Sequence, residues 1–162
     1  MTPRCRGPSL AWTGQTAKPK ANNLMMGKVF FDSDVLLNAH SKQSNKITRA
    51  CKDCVRQAWK NRSGVVSTTI LRDFYYGLRH GDSMVLGAAD ARQCIEDYLS
   101  WHVIVDDVMT LVDAISMDEQ LSVPINAGLV LQAALTGGAT TVYSYRVPKD
   151  IGDVPVMVVR PQ

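Results

Sequence analysis

The chain has 162 residues, of which 46% are hydrophobic and 20% charged, and its formal net charge is +3 at pH 7. This composition is typical of a single soluble domain with a real hydrophobic core. No apolar run reaches the roughly 18–20 residues that a membrane helix needs, so we expect no membrane association. No secretory apolar segment opens the chain, and we therefore expect a cytoplasmic protein.

The positive charge is concentrated in the first 28 residues, which contain five basic residues and no acidic one. Because the total is +3 and this stretch contributes +5, the rest of the chain carries −2. Residues 1–25 are rich in Pro, Gly, Thr and Lys and show neither a helical nor a strand period. They predict a disordered N-terminal extension, which could also be non-native, and residues 26–162 form the predicted folded domain.

From Lys28 onward, strand-like segments alternate with helix-like ones. "KVFFDSDVLL" predicts a buried strand followed by the start of a helix. Further strands are predicted over "GVVSTTI", "HVIVDD", "TTVYS" and "VPVMVV", and further helices over 45–62, 71–81, 90–101, 109–121 and 126–138. Strands that alternate with crossover helices predict an α/β fold with a mostly parallel central sheet.

The predicted helix over 45–62 has two different faces. Its apolar face comprises Ile47, Cys51, Cys54, Val55, Ala58 and Trp59. Its other face carries a basic stripe, Arg49, Lys52, Arg56 and Lys60. Such a stripe is suited to contacts with RNA phosphates, although the same pattern is also typical of a solvated helix face.

Several aspartates follow the predicted strands directly. Asp32 and Asp34 follow the first strand, Asp73 follows the second, and Asp106 with Asp107 ends the third. Because the carboxyl ends of parallel strands meet at one edge of the sheet, these carboxylates predict a shared site for Mg²⁺ or Mn²⁺. The alternative is that Asp34 or its neighbours cap the following helix.

The motif "VFFDSDVLLNAH" resembles the opening motif of the PIN domain, the fold of VapC-type toxin ribonucleases. "GVVSTTILRDFYYGL" and "AGLVLQAALTGGATTVYS" are similar to the second motif and to the late helix and strand of that family. The likeness extends over about residues 28–160. It implies a three-layer α/β/α fold with Asp32 and Asp73 as catalytic, metal-holding acids.

Two acidic positions of the PIN pattern lack an acid in this chain. Counted back from Gly138, the third falls on Ala127, beside Asn126, and the fourth falls on Arg146 in "SYR". Asn126 and Ser144 remain as neutral metal ligands. Arg146 could take the place of the cation by pairing with Asp32 or Asp73.

A second family also begins with two aspartates spaced in this way. "VFFDSDVLL", "VVSTT" and "VIVDD" are similar to motifs of haloacid-dehalogenase-like phosphatases. Those enzymes need a lysine between the second and third motifs, and the chain has no lysine from 61 to 148. The phosphatase is therefore the less favoured alternative.

The PIN resemblance implies an Mg²⁺-dependent endoribonuclease of toxin type, weakened by the two missing acids. Its partners would be RNA and a separate antitoxin protein, and related toxins commonly form homodimers. The alternative is an inactive PIN-like protein that binds RNA or a partner without cutting.

Overall fold

The computed structural model describes residues 27–82 and 85–162. The predicted extension, residues 1–25, lies outside them. The strands are β1 Lys28–Phe31, β2 Gly64–Ser67, β3 His102–Ile104, β4 Ala139–Tyr143 and β5 Met157–Val159. The helices are α1 Ser33–His40, α2 Lys46–Asn61, α3 Thr68–His80, α4 Ala88–Tyr98, α5 Val108–Leu121 and α6 Ile125–Thr136. None of these helices has the length and apolar character to cross a bilayer.

The five strands form one sheet in the order β3-β2-β1-β4-β5, and every described pair is parallel. A parallel sheet needs a crossover for each connection. Helices α1 to α6 supply the crossovers between β1 and β4, whereas a segment without a helix joins β4 to β5. The central strands are accordingly apolar, with Phe30 and Phe31 of β1 fully buried. The α/β prediction with three layers and a mostly parallel sheet is confirmed.

The core on one side of the sheet contains a cluster of aromatic rings. Tyr98 is fully buried, and Phe74, Trp59 and Trp101 pack around it with ring centroids 4.9–5.6 Å away. Gly64 at the start of β2 makes room for this cluster, because a Cβ there would lie 2.3 Å from the Trp101 ring. The cluster joins α2, α3 and α4 to the sheet.

Two local predictions were wrong. The strand predicted over "GVVSTTI" ends at Ser67, because the Ser67 side chain accepts a hydrogen bond from the backbone N–H of Ile70 and so begins α3 at Thr68. Asp73 therefore lies inside α3 rather than directly after a strand. On α2, Ile47 is exposed and the neighbouring Thr48 is buried instead.

Candidate functional site

Asp32 and Ser144 lie side by side because their strands are neighbours in the sheet. The last residues of β1 and β4, Phe31 and Tyr143, are register partners, and the Asp32 N–H donates to the Tyr143 carbonyl at 2.9 Å. The Ser144 hydroxyl donates to Asp32 Oδ2 at 2.7 Å. Asp32 is completely buried at this edge, so its carboxylate needs hydrogen-bond donors from the protein in place of water.

Arg146 supplies the positive charge that faces Asp32. Its Nε donates to Asp32 Oδ2 at 3.2 Å and its Nη2 donates to Asp32 Oδ1. The Ser33 backbone N–H also donates to Oδ1, at 2.7 Å. Both carboxylate oxygens therefore have a guanidinium donor, and such charge-assisted pairs are strong. The hydrogen bond from Arg146 to Asp32 raises the pKa of the guanidinium further, so this side chain stays charged.

A short turn after β4 directs Arg146 towards Asp32. The Ser144 hydroxyl oxygen accepts from the backbone N–H groups of Arg146 and Val147, each at 3.0 Å. Val147 is buried, which anchors the turn in the core. Ser144 thus serves both as a donor to Asp32 and as the acceptor that shapes this turn.

Asp34 is a second carboxylate at the same edge, and only one of its oxygens has a hydrogen-bond partner among the described residues. Its Oδ2 accepts from the Tyr145 N–H at 3.0 Å, whereas its buried Oδ1 has no partner among the described residues. Burial, and then the charge of Asp32, raise the pKa of Asp34 to about 6, although the Tyr145 N–H and Arg146 act in the opposite direction. The N-cap of α1 is Asp32 and not Asp34.

Asp73 and Asn126 face a cleft that Arg146 also lines. Arg72 donates to Asp73 Oδ1 at 3.0 and 2.8 Å, so this carboxylate too is paired with a guanidinium. The cleft is small, with a cavity volume of about 40 Å³. Its lining residues are Ser67, Thr69, Ile70, Arg72, Asp73, Asn126, Leu129, Val130 and Arg146.

The third acidic position of the sequence pattern falls on Asn126 rather than on Ala127. Helix α6 begins at Ile125, and this phase turns Asn126 towards the cleft and buries Ala127 in the core. The count back from Gly138 was therefore one residue off. The cause is that a helix start cannot be located to one residue by counting from its far end.

Asp106 and Asp107 serve as helix caps. Asp106 Oδ2 accepts from the Thr69 N–H at 2.9 Å, at the start of α3. Asp107 is the N-cap of α5 and forms a capping box with Thr110. Among the described residues no three or more acids lie close enough together to hold a metal ion, so the expected shared site of Asp106 and Asp107 with Asp32 and Asp73 does not form.

The basic stripe of α2 lies outside the cleft lining as well. Lys52 donates to the Ser41 carbonyl at 3.1 Å, and Arg56 pairs with Asp53. Arg49 and Lys60 are exposed. The contact of this stripe with RNA stays a prediction.

Arg72 was not identified from the sequence as a site residue, although it lines the cleft. Its position directly before Asp73 was the signal that could have identified it.

A divalent cation at this edge would need several oxygen ligands. Asp32, Asp73, Asn126 and Ser144 offer oxygen, the ligand type that Mg²⁺ prefers. However, both oxygens of Asp32 bond to Arg146, and the described ranges contain no cluster of three or more His, Cys, Asp or Glu residues that could hold a metal ion. The arrangement of side chains therefore does not fit Mg²⁺ or Mn²⁺.

No family model and no curated protein matches the sequence. Among solved structures, a toxin-antitoxin complex from Klebsiella pneumoniae is 15% identical, with a TM-score of 0.61 over 83% of this chain and 98% of that chain. VapC20 of Mycobacterium tuberculosis, described as a sarcin-ricin loop cleaving toxin, is 11% identical, with a TM-score of 0.59 over 83% and 100% of the two chains. The chain therefore has the PIN-like α/β/α fold of VapC-type toxins.

Proposed function

We propose that this chain is a VapC-type PIN-like protein that binds RNA at the cleft and cleaves it weakly or not at all. The observation that carries the proposal is the pairing of Arg146 with both oxygens of Asp32. A cation of the protein itself stands where the family resemblance implies Mg²⁺ or Mn²⁺. The likeness to VapC20 supports RNA as the ligand class.

Charge explains why cleavage would be weak. Asp32 is buried against Arg146, and Asp73 is paired with Arg72 at the surface, so each of the two acids that the PIN pattern uses has a guanidinium partner. A divalent ion would have to displace a guanidinium from a fully buried carboxylate and also shed part of its own hydration shell. The Coulomb attraction that would offset these costs is small, because the two guanidinium groups leave only about one excess negative charge among Asp32, Asp34 and Asp73.

The proposal is tested by restoring negative charge in the cleft. The double variant Asn126→Asp/Arg146→Asp is expected to bind Mg²⁺ or Mn²⁺ in a calorimetric titration, whereas the native chain shows little or no binding. The control Gln57→Asp/Arg49→Asp makes the same change in net charge at exposed positions of α2, outside the cleft. It should behave like the native chain, because Coulomb attraction falls with distance and salt.

Cleavage of single-stranded RNA is measured for the native chain and for Asn126→Asp/Arg146→Asp. We expect slow or absent cleavage by the native chain with Mg²⁺, and faster cleavage by Asn126→Asp/Arg146→Asp. Brisk Mg²⁺-dependent cleavage by the native chain, abolished by Asp32→Asn, would contradict the proposal. It would show that the neutral donors Asn126 and Ser144 suffice for a metal site.

Binding without cutting has its own readout. Arg72 and Arg146 line the cleft, so RNA should bind in the presence of EDTA, and its affinity should fall as the salt concentration rises. In fluorescence anisotropy, Arg72→Gln should weaken binding to single-stranded RNA. The control Arg92→Gln removes an arginine that is paired with Glu96 on α4, and it should leave binding unchanged.

A protein partner is the second part of the proposal. The likeness to the toxin-antitoxin complex from Klebsiella pneumoniae supports a separate antitoxin protein. A homodimer and a cytoplasmic location are further expectations from the family resemblance. Sedimentation of the purified chain measures its oligomeric state directly.

A further inference from the structure

Helix α3 extends the lining of the cleft along its outer face. Thr69, Arg72 and Asp73 line the cleft, and their spacing places them on one side of this helix. Tyr76 and His80 follow at i+7 and i+11 from Thr69, so the helical period places them on the same side. Each step of four residues advances about 6 Å along the helix axis, roughly the span of one or two nucleotides of a strand. The outer face of α3 therefore leads from the cleft to two aromatic rings.

Tyr76 lies at the exposed centre of this face. It is 67% exposed, whereas Phe74 and Leu78 of the same helix are fully buried in the core. The ring of His80 contacts the Tyr76 ring, with centroids 4.8 Å apart and planes at 45°. This contact holds the tyrosine ring in place and leaves most of its surface open to solvent. A ring presented in this way is available to a ligand that has a flat π-face of its own.

Positive charge accompanies the rings. From 69 to 80 the chain has two arginines, Arg72 and Arg79, and one acid, Asp73. The Arg72 side chain is 72% exposed, although it pairs with Asp73. Arg79 donates through one Nη to the Leu86 carbonyl at 2.9 Å, and its guanidinium fork has further N–H donors. Aromatic rings beside guanidinium groups are the combination that binds single-stranded nucleic acid.

The charge of α5 favours the same route for a strand that starts at the cleft. The sequence has no Lys or Arg from 93 to 145, and the acids on α5 and just before it are Asp106, Asp107, Asp113, Asp118 and Glu119. Such a surface repels phosphates. We therefore expect an RNA strand at the cleft to continue over α3 rather than over α5.

A protein partner fits the outer face of α3 less well. The centre of a protein interface is normally an apolar cluster that both partners bury. The aliphatic residues of α3 that could form such a cluster are instead buried in the core, and they are Ile70, Leu71 and Leu78. What the face offers is an aromatic ring with charged neighbours, which suits stacking better than apolar burial.

We infer that the outer face of α3 is a stacking platform for single-stranded RNA, in which a base lies on the Tyr76 ring and Arg72 and Arg79 contact the phosphates. The inference rests on the proposed function, because it continues the path of an RNA strand that is bound at the cleft. It adds a contact with a base, which a double helix would keep inside its own stack. Every base has a π-face, so the platform selects single strands without selecting a sequence.

The test separates base contacts from phosphate contacts with two RNA probes. One probe is a fluorescent oligoadenylate, and the other is a strand of the same length without bases. In fluorescence anisotropy with EDTA, the native chain should bind the oligoadenylate about fivefold or more tighter, which is the size of effect that one stacked base gives. Tyr76→Leu should remove most of this preference, because leucine has no π-face. Tyr76→Phe keeps the ring and should restore the preference.

The control Tyr75→Leu makes the same change on the same helix. Tyr75 lies about 100° round the helix from Tyr76 and is 37% exposed. This variant should keep the preference for the oligoadenylate. Arg72→Gln should weaken the binding of both probes alike, because it removes a contact with phosphate rather than with a base.

The results distinguish this inference from the proposed function. The platform is overturned, and the proposed function stands, if the native chain binds both probes equally while Arg72→Gln weakens both. The platform is also overturned if Tyr75→Leu removes the preference as fully as Tyr76→Leu. Failure of the native chain to bind either probe overturns the platform and the proposed function together. A dimer in sedimentation that Tyr76→Leu converts to a monomer would overturn the platform as well, because a second copy would then cover the ring.

Discussion

Asp32 and Asp34 share the positive charge of Arg146 unequally at the sheet edge. Arg146 bonds to both oxygens of Asp32, whereas its Nε lies 3.8 Å from Asp34 Oδ2. Asp34 therefore has the weaker share of the guanidinium and keeps one buried oxygen without a partner among the described residues. A buried carboxylate in that position favours its protonated form.

Asp34 is expected to make stability depend on pH. Its pKa is raised from 3.8 to about 6 by burial and by the charge of Asp32. Because the folded chain binds this proton more tightly than the unfolded chain, the contribution of Asp34 to stability is present at low pH and is lost as pH rises through 6. Asp34→Asn should therefore have a larger free energy of unfolding than the native chain at pH 8, and the difference should shrink towards pH 4. Urea unfolding across this pH range measures it.

The control for this experiment is Asp153→Asn, which removes an exposed carboxylate far along the chain from the sheet edge. The Asn side chain at position 34 can still accept the Tyr145 N–H, so the comparison isolates the charge. A difference between Asp34→Asn and the native chain that is the same at every pH would show that Asp34 is not the titrating group.

At the scale of elements, α5 depends on α6 for its position. The contact at Gly128 brings the backbone of α6 close to Ala114 of α5, because a Cβ there would lie only 3.0 Å from the Ala114 carbonyl oxygen. Ala114 is fully buried there. Helix α5 therefore packs on α6 through small residues at this point.

Gly128→Val is expected to destabilise the fold by about 1–3 kcal/mol, because the added methyl groups overlap the Ala114 backbone and force the helices apart. Gln132→Val introduces the same side chain one turn later on α6, at a partly exposed position, and should cost less. Denaturant unfolding compares the two variants. Equal losses would show that the close contact at Gly128 is not the cause.

At the scale of the whole molecule, metal binding and folding are linked. A ligand that binds only the folded chain raises Tm according to its concentration relative to Kd. About 5 mM Mg²⁺ should leave the Tm of the native chain unchanged, and should raise the Tm of Asn126→Asp/Arg146→Asp by roughly 2 °C or more. Thermal unfolding followed by circular dichroism checks this.

The control for this Tm shift is the exposed double variant Gln57→Asp/Arg49→Asp, which has the same net charge as Asn126→Asp/Arg146→Asp. An equal rise in Tm for both variants would indicate nonspecific screening of negative charge rather than a metal site. A clear rise for the native chain would show that Mg²⁺ displaces Arg146 from Asp32.

The sequence by itself determined the order of strands and helices and the place of Asp32 at the end of a buried strand. These features follow from hydrophobic periodicity, which is a local property of the chain. The order of motifs also led to the PIN-like fold. Boundaries were less certain, as Ser67 and Thr68 show, because a capping side chain ended β2 earlier than the apolar run suggested.

Only the tertiary structure decided which charges meet and which surfaces are covered. Arg146 reaches Asp32 because β1 and β4 are register neighbours, although more than a hundred residues separate the two side chains. The phase of α6 decided that Asn126 and not Ala127 faces the cleft. Periodicity marked α5 as a helix, but only the packing shows that Ala114 is buried against α6 whereas Leu111 and Ile115 are exposed. Such outcomes depend on contacts between distant segments, and a local pattern carries no information about them.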